Sequence, residues 1–174
     1  MGNSMMLVIG GLLLMGTFML SANSLLLQNT TTSQQNECFL TAISLAQSVI
    51  DEAKTKAFDE KTVGGPVSVR DSLTSSSLFG KDGSGETVPV PDTLSANGFI
   101  SNTKFDDVDD YNGYQRRATT TRTGPLTVSA VVQYASETFP DSTLSARAYC
   151  KLMTVTVTGP QLAVPVSIQY AFTY

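Results

Sequence analysis

The sequence predicts an α+β protein: a long N-terminal helix packed on a C-terminal antiparallel sheet. Three observations carry this. The first 36 residues have no charged side chain, and Met5 to Leu27 is almost wholly apolar. Residues 37–60 then carry an apolar stripe at helical spacing. The last third alternates apolar and polar residues, as half-buried strands do.

The apolar run comes first. Met5 to Leu20 reads MMLVIGGLLLMGTFML, and Leu25, Leu26 and Leu27 follow a Ser-Ala-Asn-Ser break. A secretory signal peptide needs a basic n-region and a small-residue cleavage site. No base precedes the run, the first being Lys54, and Ser21-Ala22-Asn23 matches a cleavage site poorly. A membrane span needs about 20 apolar residues, which Met5–Leu27 supplies. Residues 1–28 are therefore expected to anchor the chain or to pack with similar helices. Met5, Leu7, Ile9, Gly10, Gly11, Leu13, Gly16 and Phe18 would form the contact surface, the glycines allowing close approach of helix backbones. Basic residues do not specify the orientation, and a large acidic C-terminal part favours its lying outside the cytoplasm.

Residues 29–60 are expected to continue as an amphipathic helix. Apolar side chains fall at Phe39, Ala42, Ile43, Ala46, Val49, Ile50 and Ala53, with Gln47, Asp51, Glu52 and Lys54 off the stripe. The helix is expected to end near Phe58, before Gly64-Gly65-Pro66. Gln28 to Asn36 reads either as a loop or as a weak helical stretch in which threonine hydroxyls bond the preceding turn. Asn29-Thr30-Thr31 fits a glycosylation acceptor but adjoins the apolar run and reads as coincidence.

Residues 61–174 form the expected sheet domain. Through residue 124 the sequence is rich in Gly, Ser, Thr, Asp and Pro, so loops dominate. Short strands are expected at Thr87–Val90 and Gly98–Ser101. Arg116, Arg117 and Arg122 read as a solvated loop. Leu126 to Tyr134, Ala148 to Thr158 and Val164 to Tyr174 read as strands, the last starting or lying at an edge because of Pro165. Their short connections demand antiparallel pairing. The Phe39–Ala53 stripe is the strong amphipathic helix available to cover one face. Cys38 and Cys150 would lie on the two elements that meet, either as a disulfide or as two buried thiols.

Composition excludes several functions. The net charge is −4 and no basic patch is visible, which argues against a nucleic-acid partner. There is no histidine, so Ser-His-Asp and Cys-His arrangements are absent, and two distant cysteines cannot build a zinc site. Carboxylates and lysines converge on no visible set. The expectation is a non-enzymatic protein without a small-molecule substrate.

Three stretches carry a family resemblance. Leu45-Ala46-Gln47-Ser48-Val49-Ile50-Asp51-Glu52-Ala53, Phe105-Asp106-Asp107-Val108-Asp109-Asp110-Tyr111-Asn112-Gly113-Tyr114 and Tyr149-Cys150-Lys151-Leu152-Met153-Thr154-Val155-Thr156-Val157 occur in this order behind the apolar run. Together they resemble type IV pilins and type II secretion pseudopilins, and most of all their minor subunits. The resemblance implies a single-pass inner (cytoplasmic) membrane protein whose apolar helix meets lipid and other pilin-like subunits. Its C-terminal part would lie in the periplasm or on the cell surface, in a filament or secretion apparatus. The family's basic leader and the acid near the start of its apolar segment are missing, with Met5 and Met6 where the acid is expected. That points to a minor or initiating subunit. The alternative is a tethered binding domain that never polymerises. Pseudopilins often hold calcium near the sheet, which makes Asp106, Asp107, Asp109, Asp110 and Asn112 candidate ligands. The EF-hand pattern is not met, and the other reading is an acidic turn in which Asn112-Gly113 supplies positive φ.

Overall fold

The computed structural model describes residues 2–83, 86, 104–120 and 122–174. The strands expected at Thr87–Val90 and Gly98–Ser101 lie outside the described residues. Helix α1 runs Gly2–Ala53, and the chain forms two compact units, residues 1–37 and 38–174.

In the first unit every large apolar side chain from Met5 to Leu27 is exposed. The helix is long and apolar enough to cross a membrane. Its polar stretch stays helical because the threonines bond back. Thr30 Oγ1 donates to the Leu26 carbonyl at 2.9 Å and Thr32 Oγ1 to the Gln28 carbonyl at 2.9 Å. Of the two readings of Gln28–Asn36, the helical one holds.

The second unit is α+β, with helix packed on sheet. Among the described residues, strands β1 (Gln115–Thr120), β2 (Gly124–Ala135), β3 (Thr143–Leu144), β4 (Cys150–Thr158) and β5 (Val166–Thr173) form one antiparallel sheet. The order is β1-β2-β4-β5, with β3 beside β2. Register sets Val128 opposite Val157 and Ala130 opposite Val155. It also sets Val155 opposite Ile168 and Val157 opposite Val166. These residues, β-branched except for Ala130, line one face, and the period of two sends Thr127, Ser129, Thr154, Thr156 and Ser167 to the other. Pro165 immediately precedes β5, an edge strand, where its missing N–H removes no internal ladder bond.

Residues 38–53 of α1 cover the apolar face. Cys38, Ala42, Ala46, Val49, Ile50 and Ala53 are buried and share one core with Leu126, Val128, Met153 and Val155. Alanines at 42, 46 and 53 let the helix backbone lie close to the sheet. Two details differ from the expected stripe. Phe39 is 49% exposed, and Cys38 takes its place, because the buried line advances in steps of three and four from Cys38. Ile43 is only half-buried, at the margin of the same core.

The helix also ends earlier than expected, at Ala53 rather than Phe58. Tertiary pairing diverts the backbone. The Ala57 N–H donates to the Asp106 carbonyl at 2.9 Å, and the Val108 N–H donates to the Ala57 carbonyl at 3.0 Å. A new short helix, α2 (Glu60–Val63), starts at the Asp59 N-cap. The basic pair Arg116-Arg117, read as loop, lies on edge strand β1. The Gly124 turn that pairs β1 with β2 needs φ of +67°, which glycine adopts without strain.

Cys38 and Cys150 are both buried free thiols, and no disulfide joins them. They occupy different clusters. Cys38 belongs to the main core, whereas Cys150 packs with Ala135 and Leu152 on the opposite sheet face.

Packing this close makes volume decisive. We expect Ile50→Ala to cost about 2–5 kcal/mol of unfolding free energy. Phe39→Ala should cost less than about 1 kcal/mol, since that ring is half in solvent. Urea denaturation of the two variants, followed by near-UV circular dichroism, checks the contrast.

Candidate functional site

The densest buried chemistry sits where the start of β4 meets the segments on either side of it. Lys151 has the strand parity of Met153, Val155 and Val157 and therefore points into the core, where it is fully buried. Its three N–H donors are all engaged. Nζ donates to Asp59 Oδ2 at 2.8 Å, to the Phe58 carbonyl at 2.8 Å and to Asp109 Oδ1. The rings of Phe58, Phe79 and Tyr134 stand 4.5, 4.9 and 5.3 Å from Nζ.

Asp59 is the hub. It caps α2 through the Lys61 N–H at 3.0 Å. It accepts from the Thr74 hydroxyl at 2.8 Å and the Tyr134 hydroxyl at 3.2 Å. Tyr134 shares that single O–H hydrogen with the nearer Thr74 carbonyl at 2.7 Å, which ties β2 to the loop after α2. Burial alone would push the Asp59 carboxyl up. The Lys151 ammonium and the donors around it outweigh that and hold it below the usual carboxylate range.

Asp109 has no such set of donors. It sits in a single 3-10 turn, Asp109–Tyr111, and its Oδ2 accepts no hydrogen bond from any described residue. Burial pushes its carboxyl up to about 8, against the attraction of Lys151. Its neighbours are also raised, Asp107 to about 6 and Asp110 to about 7, chiefly by burial, with Asp107 repelling Asp110. One lysine thus faces more acid than it can neutralise.

The five residues singled out for calcium do not form one shell. Asp109 is turned to Lys151. The Asn112 carboxamide accepts from the Val132 N–H at 3.2 Å and donates to the Phe79 carbonyl at 3.3 Å, so it completes the sheet edge. Asp106 and Asp107 group with Glu60, and Asp110 groups with Asp82 and Glu86, each trio having one oxygen per residue within 4.8 Å. Gly113 has φ of +79°, as the Asn112-Gly113 turn requires.

The candidate assembly residues Met5, Leu7, Ile9, Leu13 and Phe18 are exposed on the first unit. Gly10, Gly11 and Gly16 lie among them, and a methyl group added at any of the three would meet nothing within 4 Å. Of the helix-on-sheet set, Ala42, Ala46, Val49 and Ile50 are brought onto the sheet. The Asp59–Lys151–Asp109 cluster was not singled out from sequence. The available signal was a lysine at a core-facing position of an otherwise apolar strand. No family model, curated protein or solved structure matches this chain.

Two outcomes follow. Tyr134→Phe leaves the buried Thr74 carbonyl and Asp59 short of a donor and should cost about 1–3 kcal/mol, read from the urea midpoint. For Asp107 and Asp110 the folded state holds protons that the unfolded chain has released above about pH 4. Stability should therefore fall as pH rises from about 4 to about 7, and the urea midpoint should be higher near the lower end of that window.

Proposed function

We propose that this protein is a membrane-anchored, pilin-like subunit, minor or initiating, of a cell-surface or periplasmic filament or secretion apparatus. Its role is structural. The observation that carries the reading is the first unit: every large apolar side chain from Met5 to Leu27 is exposed, on a helix followed by a folded α+β unit. Such a surface does not persist in water, where burial of apolar area is worth about 25 cal/mol per Å². Lipid covers it before assembly. In an assembly, equivalent helices of sister subunits cover it. Because lipid is equally apolar, close packing supplies the gain, and Gly10, Gly11 and Gly16 permit that packing.

The order of parts supports the same reading. An apolar helix, then an alanine-lined stripe on an antiparallel sheet, matches the architecture that the three sequence stretches resemble. The first turn of α1 carries no acid, which fits a subunit that occupies a special position rather than the repeat.

The test is a charge in the apolar helix. Gly11→Glu or Leu13→Glu should abolish co-assembly with pilin-like partners while near-UV circular dichroism shows the second unit still folded. Crosslinking between N-terminal helices in cells should give regular contacts for the wild type and none for the variants. Assembly unchanged by either charge, or a wild type that crosslinks to no sister helix, would mean a plain tether carrying a binding domain.

A further inference from the structure

We propose that Lys151 and Asp109 are joined by an intramolecular amide bond between Lys151 Nζ and Asp109 Cγ, formed by the folded chain itself with Asp59 transferring the proton. The competing description is a plain buried ion cluster. Three observations favour the covalent link.

The first is stoichiometry. Two buried carboxylates, Asp59 and Asp109, contact one fully buried ammonium. Asp59 is fully satisfied by Lys61, Thr74, Tyr134 and Lys151. Asp109 is not, because its Oδ2 has no donor among the described residues. A buried carboxylate with an orphan oxygen is costly. Condensation removes one Asp109 oxygen and both charges.

The second is geometry. Nζ lies in direct contact with Asp109 and 2.8 Å from Asp59 Oδ2. A nucleophile, an electrophile and a proton acceptor held together in this way reach effective molarities of about 10⁵–10⁸ M. That magnitude lowers the barrier to amide condensation, and the exclusion of water acts on its equilibrium.

The third is the surroundings. Phe58, Phe79 and Tyr134 wall the site, and Lys151 has no exposed surface. An apolar wall favours the neutral amine and carboxylic acid over the ion pair, and it keeps out the water that would reverse the reaction. The raised Asp109 carboxyl fits the protonated partner that the step needs.

The step balances without a cofactor. Lys151 passes one proton to Asp109, giving amine and acid. The amine lone pair attacks Cγ, and the C–N bond forms. Asp59 takes the second proton from nitrogen and delivers it to the departing Asp109 hydroxyl. The C–O bond breaks and water leaves. Ammonium plus carboxylate becomes amide plus water, and Asp59 ends unchanged. The link would fasten β4 to the acidic segment ahead of β1 and restrict unfolding by closing the chain between residues 109 and 151.

Trypsin digestion of the purified full-length protein, with mass spectrometry, tests this. Cleavage after Lys104, Arg116 and Arg147 frees Phe105–Arg116 and the segment from Ala148. The expected product is Phe105–Arg116 joined to Ala148–Tyr174, one water lighter than the two separate peptides, with no cleavage after Lys151. Linear Phe105–Arg116 together with cleavage after Lys151, from protein that is folded by near-UV circular dichroism, would overturn the proposal. In folded Asp59→Asn the joined product should be lost. Its undiminished recovery would overturn the role of Asp59, and the wild-type digest decides the bond whether or not that variant folds.

Discussion

A single lysine on the wrong-seeming face of a strand organises the second unit. Lys151 must point inward because the strand period gives it no alternative between Cys150 and Leu152. An ammonium taken out of water carries a desolvation penalty of several kcal/mol unless every N–H is answered. In the chain before any amide bond forms, the fold answers all three, from Phe58, Asp59 and Asp109. Those acceptors come from two segments far apart in sequence, so satisfying one side chain draws Phe58-Asp59 at the α2 cap and the acidic turn at Asp109 to the same place. Tyr134 and Thr74 extend the network to β2 and to the loop after α2.

Around this polar node the packing is ordinary in chemistry and close in distance. Alanines on α1 face β-branched residues on β2, β4 and β5. Small residues on the helix and branched residues on the sheet give a smooth interface with little side-chain entropy to lose. The acidic segment contributes backbone as well as charge. Its Asp106 carbonyl and Val108 N–H pair with Ala57, which is why the helix stops where it does.

The first unit obeys a different balance. It buries almost nothing of its own, and its backbone is satisfied within the helix, with threonine hydroxyls adding bonds through the polar stretch. Helical backbone closure is what a bilayer requires of a spanning segment. An element of this kind contributes little to the folding of the chain that bears it. Its free energy is realised in contact with something else, which is the physical basis of the filament-subunit reading.

The large features were legible because they rest on periodicity. An uncharged run of this length, a stripe at helical spacing and alternation in Leu126–Tyr134 each have one economical structural solution. The parity of β4 was equally readable, and with it the inward direction of Lys151. Edge strand β1 was hidden because Gln115-Arg116-Arg117 looks like a solvated turn, and its strand state comes from pairing with β2. The true line of burial, led by Cys38 and not Phe39, depends on how α1 is rotated on the sheet. The partners of Lys151 could not be read at all: Asp59 lies 92 residues away and Asp109 lies 42, and both are local capping or turn residues by their own sequence context. Local pattern determined which faces are apolar, because each element's period is a property of its own backbone. Tertiary structure alone decided which acids meet the buried lysine, because long-range charge pairing leaves no period in the sequence.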